Sequence, residues 1–129
     1  MYVYRLTENG PEFFVQDHHD GYKTVLSGHV GDIHPNETLA DAAERETKEE
    51  LDVTPLEVTK IGHTETVELP KWNKLSTEHA FLIEIPNEDV QYLNGEEKHI
   101  WVKPENLEST LTFDHQKRAA AVAVSTFIL

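Results

Sequence analysis

The chain has 129 residues, 38% of them apolar and 27% charged, with a formal net charge of −13 and no cysteine. That length suits one buried core, and the charge argues against general nucleic-acid affinity, because backbone phosphates are repelled at long range. Without cysteine there is no disulfide framework or thiolate metal site, no apolar run nears the roughly 18 residues of a membrane span, and no basic-then-apolar leader opens the chain, so the expectation is a single cytoplasmic domain over residues 1–129.

Tyr2 to Leu6 and Glu12 to Gln16 read as strands joined by a turn at Asn9-Gly10-Pro11. Asp17 to Gly21 reads as a second turn, and Tyr22 to Leu26 as a short strand leading to a loop with Gly28 and Gly31. A helix is expected from Thr38 to Leu51, where Thr38 and Asp41 have capping-box spacing and Pro55 marks the far end. Strands follow at Leu56 to Leu69 and Thr77 to Ile85, with a Pro70 to Lys74 loop between them. Asn87 to Glu97 is polar and loop-like, His99 to Val102 a short strand, and Pro104 to Leu107 a helical turn. A last helix is expected from Phe113 to the C-terminus. Strands interleaved with two substantial helices imply mixed α/β layers.

The first helix carries the chemistry. With ~3.6 residues per turn, Ala43, Glu46 and Glu50 fall within about 40° of Leu39, while Asp41, Glu44 and Lys48 lie on the opposite side. Glu49 lies about 80° from Leu39, beside Arg45. A Glu-rich solvated helix would put Glu46 and Glu50 opposite Leu39 instead. Carboxylates four residues apart repel, more so when partly buried, and a hard divalent cation such as Mg²⁺ or Mn²⁺ prefers the all-oxygen setting they make. Arg45 can pair with Glu49 or Asp41.

Gly31, Glu37, Arg45-Glu46, Glu49-Glu50 and Val53 match the spacing of the Nudix box. That box reads Gly, any five, Glu, any seven, Arg-Glu, an apolar residue, any, Glu-Glu, any, Gly, apolar. The chain therefore resembles the Nudix hydrolases, with two departures: Thr47 stands at an apolar position and Asp52 at the helix-ending Gly. Thr47 can turn its methyl inward. Asp52 tolerates a left-handed cap but puts a negative charge at the unfavourable end of the helix dipole.

The resemblance implies an α/β/α sandwich with a mixed central sheet. It also implies hydrolysis of a diphosphate linkage in a nucleotide-type small molecule, with Mg²⁺ or Mn²⁺ as cofactor. Glu46, Glu49 and Glu50 would hold the metal with help from the carbonyl of Gly31 or Val30, Arg45 would orient the ligand carboxylates, and Glu37 would support the loop and helix. Gly95 to Trp101 resembles the segment before the family's tryptophan-containing strand, where Glu97 or Glu96 can act as a base or further ligand. Glu65, Glu68 and Glu78 are further candidates. The alternative is a Nudix-fold binding or regulatory domain with weak turnover. An isomerase on the same fold would rely on a cysteine, which this chain lacks.

Beyond the box, Lys71 and Trp72 combine charge with a stacking surface suited to a phosphate and a base. His29 and His34 flank the motif loop and are candidates for touching substrate. Pro70 and Trp72 lie near positions that differ between the ADP-ribose and dinucleoside polyphosphate types of the family. The eight histidines show no zinc spacing, so they are expected on the surface or hydrogen-bonded. Phe127-Ile128-Leu129 would leave an apolar end that a second subunit can cover, which gives the expectation of a homodimer.

Overall fold

The computed structural model describes residues 1–27, 36–69, 73–91 and 98–127. Among these residues six strands and three helices follow one another as β1 (Tyr2–Thr7), β2 (Gly10–Asp17), β3 (Lys23–Thr24), α1 (Leu39–Leu51), β4 (Glu57–Leu69), β5 (Lys74–Ile85), β6 (Lys98–Val102), α2 (Pro104–Thr110) and α3 (Asp114–Ser125).

The strands make one mixed sheet in the order β3-β2-β1-β5-β4, with β6 also paired to β2. β1 and β2 form a tight antiparallel hairpin in which Tyr4 faces Phe13 and Thr7 faces Gly10. Gly10 takes φ +103°, a value that L side chains rarely adopt, and so makes the turn possible. β4 and β5 form the second hairpin, closed beside Asn73 at φ +48°. The two hairpins meet where β1 runs parallel to β5, from Tyr2 opposite Leu82 to Arg5 opposite Ile85.

Alternation along the strands sends successive side chains to opposite faces, and each face buries its own cluster. Tyr2, Tyr4, Phe13, Val15 and Leu82 pack with Leu107 and Leu111 beside α2 and with Ala119, Ala120 and Ala123 of α3. Val3, Phe14, Phe81, Ile83 and Ile85 pack with Ala43 and Leu51 of α1. This is the expected α/β/α sandwich with a mixed central sheet. No helix among the described residues is long and apolar enough to cross a membrane.

Several boundaries differ from expectation, β2 beginning at Gly10 and α3 spanning Asp114–Ser125 among them, and three have a visible cause or a larger shift. β3 stops at Thr24 instead of Leu26, because the Val25 N–H donates to the Gln116 side chain (3.2 Å) and leaves the ladder. β5 starts at Lys74, three residues before Thr77. α2 runs on to Thr110, since Leu107 is fully buried and the Ser109 and Thr110 hydroxyls donate to the Asn106 carbonyl. At the C-terminus, Phe127 turns inward onto Tyr4 and Phe13, with ring centroids 4.9 and 5.8 Å apart. Ile128 and Leu129 lie outside the described residues.

Candidate active site

Local sequence sets the ends of α1. The Thr38 side chain accepts from the Asp41 N–H at 3.1 Å, satisfying a donor that the first turn leaves unpaired. At the other end Asp52 adopts a left-handed conformation (φ 51°, ψ 45°), and its N–H donates to the Lys48 carbonyl at 3.0 Å. Ala42, Ala43, Thr47 and Leu51 are buried, which fixes the helix rotation. Thr47 is fully enclosed, and its hydroxyl donates back to the Ala43 carbonyl at 2.7 Å.

With that rotation, Arg45 gathers the box carboxylates. Its Nε donates to Glu37 Oε2 (2.7 Å) and Nη2 to Glu37 Oε1 (3.0 Å), while Nη1 reaches Glu46 Oε1 (3.1 Å) and Glu49 Oε2 (3.2 Å). Donation to the Glu37 carboxylate is the main reason that the Arg45 guanidinium is held more firmly protonated than usual. The Glu46 side chain is 17% exposed and that of Glu49 56%, so Glu46 sits on the buried margin of the helix and Glu49 in solvent. The pairing of Arg45 with Glu49 is as expected. Its two-pronged bond to Glu37 crosses from the preceding loop, and a helical wheel cannot show it.

Glu50 is half-buried with no arginine of its own. Burial, then the charges of Glu46 and Glu49, push its carboxyl up from the ordinary carboxylate range. Three acidic side chains crowd one stretch of helix, and one of them ionises reluctantly. A hard oxygen-seeking cation relieves that situation, so the donor chemistry fits Mg²⁺ or Mn²⁺. Among the described residues no three ligand side chains already converge on one point. Gly31, Val30, His29, His34, Pro70, Lys71, Trp72, Glu96 and Glu97 lie outside the described residues.

Between β1 and the first half of β5 the sheet has a gap, on the side lined by α3. β1 joins β5 at Tyr2 opposite Leu82, whereas β5 extends back to Lys74. A cavity of about 110 Å³ opens there, reached by Met1, Ser27, Glu78, His79, His115 and Gln116 among others. Met1 connects it to the box helix, because its sulfur lies 3.5 Å from Thr47 Oγ1. Glu65 also borders the cavity and is bonded by Arg118 and His63, which hold its carboxyl near 2 instead of the usual 4.5.

A second acidic centre lies beside β6. Asp89 Oδ1 accepts from Trp101 Nε1 and from His99 Nε2, each at 2.9 Å, and these bonds bring its carboxyl to about 2. Arg5 lies over the Trp101 ring at 3.9 Å and donates to the Glu88 carbonyl at 3.0 Å. Residues 88–89 are thus pinned to β6 across the segment that carries Glu96 and Glu97. Sequence reading missed Asp89, Arg5 and Gln116, because their partners come from other elements and leave no periodic signal. Glu65 and Glu78 were among its candidates; Glu68, exposed on β4, is not brought to the site. His18, His63 and His99 are hydrogen-bonded as expected, to Thr24, Glu65 and Asp89.

The layered sheet, the capped carboxylate helix and its arginine clamp together define a domain of the pyrophosphohydrolase class. The NUDIX domain family model matches residues 2–123, and the chain belongs to that family. Among solved structures, it is similar to a Listeria monocytogenes protein assigned to the NUDIX hydrolases, with TM-score 0.82 and 21% identity over 98% of this chain and 90% of that one. It is also similar to a Caenorhabditis elegans Ap4A hydrolase, with TM-score 0.75 and 24% identity over 98% and 93% of the two chains. A third similar structure is the Escherichia coli dihydroneopterin triphosphate pyrophosphohydrolase, with TM-score 0.71 and 16% identity over 98% and 92%. No curated protein sequence gives a significant match.

Proposed function

We propose that the chain hydrolyses a diphosphate linkage in a nucleotide-type small molecule, using Mg²⁺ or Mn²⁺ held by Glu46, Glu49 and Glu50. The observation that carries this reading is Glu50, a carboxyl made reluctant to ionise by burial and by the neighbouring carboxylates of Glu46 and Glu49, both of which are held by one arginine. A divalent ion bound there offsets diphosphate charge and lowers the pKa of a bound water.

The chain's own residues do the positioning. Glu37 fixes Arg45, and Arg45 in turn aims Glu46 and Glu49, so the acidic array is held before substrate arrives. The cavity beside Met1 takes the organic part of the substrate and leaves the diphosphate toward Glu46 and Glu50. Glu97 is our candidate base, with Glu96 as its neighbour, and Lys71, Trp72 and His29 are candidate substrate contacts. Two similar structures act, by name, on Ap4A and on dihydroneopterin triphosphate, which supports a phosphorylated heterocyclic substrate for this chain.

The test is a Mg²⁺ and Mn²⁺ hydrolysis screen over ADP-ribose, nucleoside triphosphates, dinucleoside polyphosphates and nucleotide sugars, run on wild type and Glu50→Gln. Metal-dependent turnover in the wild type and its loss in a folded variant are expected. Full activity in Glu50→Gln would sink the metal assignment, and binding without turnover would favour a regulatory domain.

A further inference from the structure

We propose that the cavity at the sheet's gap reads a 2-amino-4-oxopyrimidine edge, the hydrogen-bonding pattern shared by guanine and pterin rings. This rests on the reading that the cavity holds the organic part of the substrate, and it names the chemistry the cavity selects.

Size comes first. At about 110 Å³ the cavity is somewhat smaller than the roughly 150 Å³ apolar cavity that accommodates benzene, so it takes one flat six-membered ring and leaves the remainder projecting out. Its location adds direction: Ser27 leads into the box loop, and Met1 touches Thr47 on the box helix. On the reading above, the phosphate chain of a ring seated there runs toward Glu46 and Glu50.

The lining then supplies a pattern. Glu78 Oε1 accepts from the Ser76 hydroxyl at 3.2 Å, and no described residue bonds Oε2. Glu65, directly opposite on β4, is already used by Arg118 and His63. Gln116 Oε1 accepts from the Val25 N–H, which fixes the amide orientation and leaves its NH₂ group as a donor with no described partner. Tyr2 does not compete, because its hydroxyl donates to the Gln116 backbone carbonyl at 2.8 Å. His79 adds a buried Nδ1 with no hydrogen-bond partner among the described residues. Buried polar atoms are nearly always paired, so this exception marks a place where a ligand completes the bonding.

A carboxylate only accepts and an amide NH₂ only donates. The guanine-type edge presents a ring N–H and an amino group beside one carbonyl, two donors and an acceptor, and it satisfies both side chains. The adenine edge presents one donor beside a ring nitrogen acceptor, which sets a lone pair against Glu78. Leaving a buried polar group facing the wrong partner costs enough to discriminate.

The experiment is calorimetric titration of GMP, AMP and UMP into the full chain in EDTA, with dihydroneopterin as a fourth ligand, and thermal unfolding to confirm that variants fold. GMP should bind at least about tenfold more tightly than AMP. Glu78→Gln should cut that ratio about tenfold, and Gln116→Leu should weaken GMP more than AMP. Dihydroneopterin binding would identify the pterin as a source of the edge, and its absence would restrict the edge to guanine. Equal binding of GMP and AMP, no binding of either, or an unchanged ratio in both variants would overturn the proposal. Because the titration uses no metal and no hydrolysis, its failure is distinct from retained activity in Glu50→Gln.

Discussion

Arg45 and Glu37 are joined by two parallel hydrogen bonds of 2.7 and 3.0 Å, a fork that ties the residue before the Thr38 cap to the second turn of α1. A third nitrogen of the same guanidinium holds Glu46 and Glu49. The planar fork is what matters, since a lysine keeps the charge and cannot reproduce the geometry. Arg45→Lys is expected to lower kcat about tenfold to a hundredfold, the usual cost of losing a group that orients metal ligands. Steady-state kinetics across a Mg²⁺ titration measures this, and an unchanged kcat would remove Arg45 from its positioning role.

Glu50 sets activity against stability. A carboxyl whose folded pKa is raised binds its proton more tightly folded than unfolded, so stability falls as pH rises from the ordinary carboxylate range through the raised value. Above the raised value the cost is fully present. Glu50→Gln in EDTA should therefore unfold about 2 °C above wild type. Added Mg²⁺ should raise the wild-type midpoint more than the variant's. A variant less stable than wild type without metal would contradict the picture of a crowded carboxylate.

Asp52 holds a left-handed conformation that costs an ordinary residue roughly 1–2 kcal/mol and glycine almost nothing. It also places its carboxylate at the negative end of the α1 dipole. Asp52→Gly should raise the midpoint of thermal unfolding by about 3 °C with kcat unchanged. A lower midpoint would show that the Asp side chain makes a compensating contact.

Acid should loosen the fold at two separate places. Glu65 and Asp89 are both held near 2, by Arg118 with His63 and by His99 with Trp101. Depressed carboxyls stabilise above the ordinary carboxylate range and lose that contribution as pH falls toward their folded values. Arg118→Met removes the larger share of the Glu65 part, leaving His63 in place, and does not touch Asp89. Its unfolding midpoint should lie below wild type at neutral pH and converge with it as pH falls toward about 2. A gap that stays constant with pH would assign the effect of Arg118 to packing.

Much of the box helix was legible because its information is local. The Thr38 cap, the inward Ala43 and Thr47, the margin position of Glu46 and the left-handed Asp52 all follow from spacing within one helix. The layered fold was legible from the alternation of strands and helices. Contacts joining distant segments were not. Nothing in the sequence places Gln116 against Val25, Arg118 against Glu65, or Asp89 beneath Trp101, since each bond depends on how α3, β4 and the loop after β5 come together. Thr24 as the end of β3 was hidden for the same reason, because a side chain from α3 takes the next backbone N–H.

The parallel pairing of β1 with β5 also governs how the chain assembles. It joins Tyr2 to Leu82 and Arg5 to Ile85, while every other strand of the sheet is paired antiparallel. Both hairpins can form from nearby residues, but the seam closes only after a long loop is brought together, an entropic cost that falls before the contacts reward it. During synthesis the first strand must therefore wait, with one edge unpaired, until Ile85 has left the ribosome. That interval is when the nascent chain is most open to pairing with a neighbour.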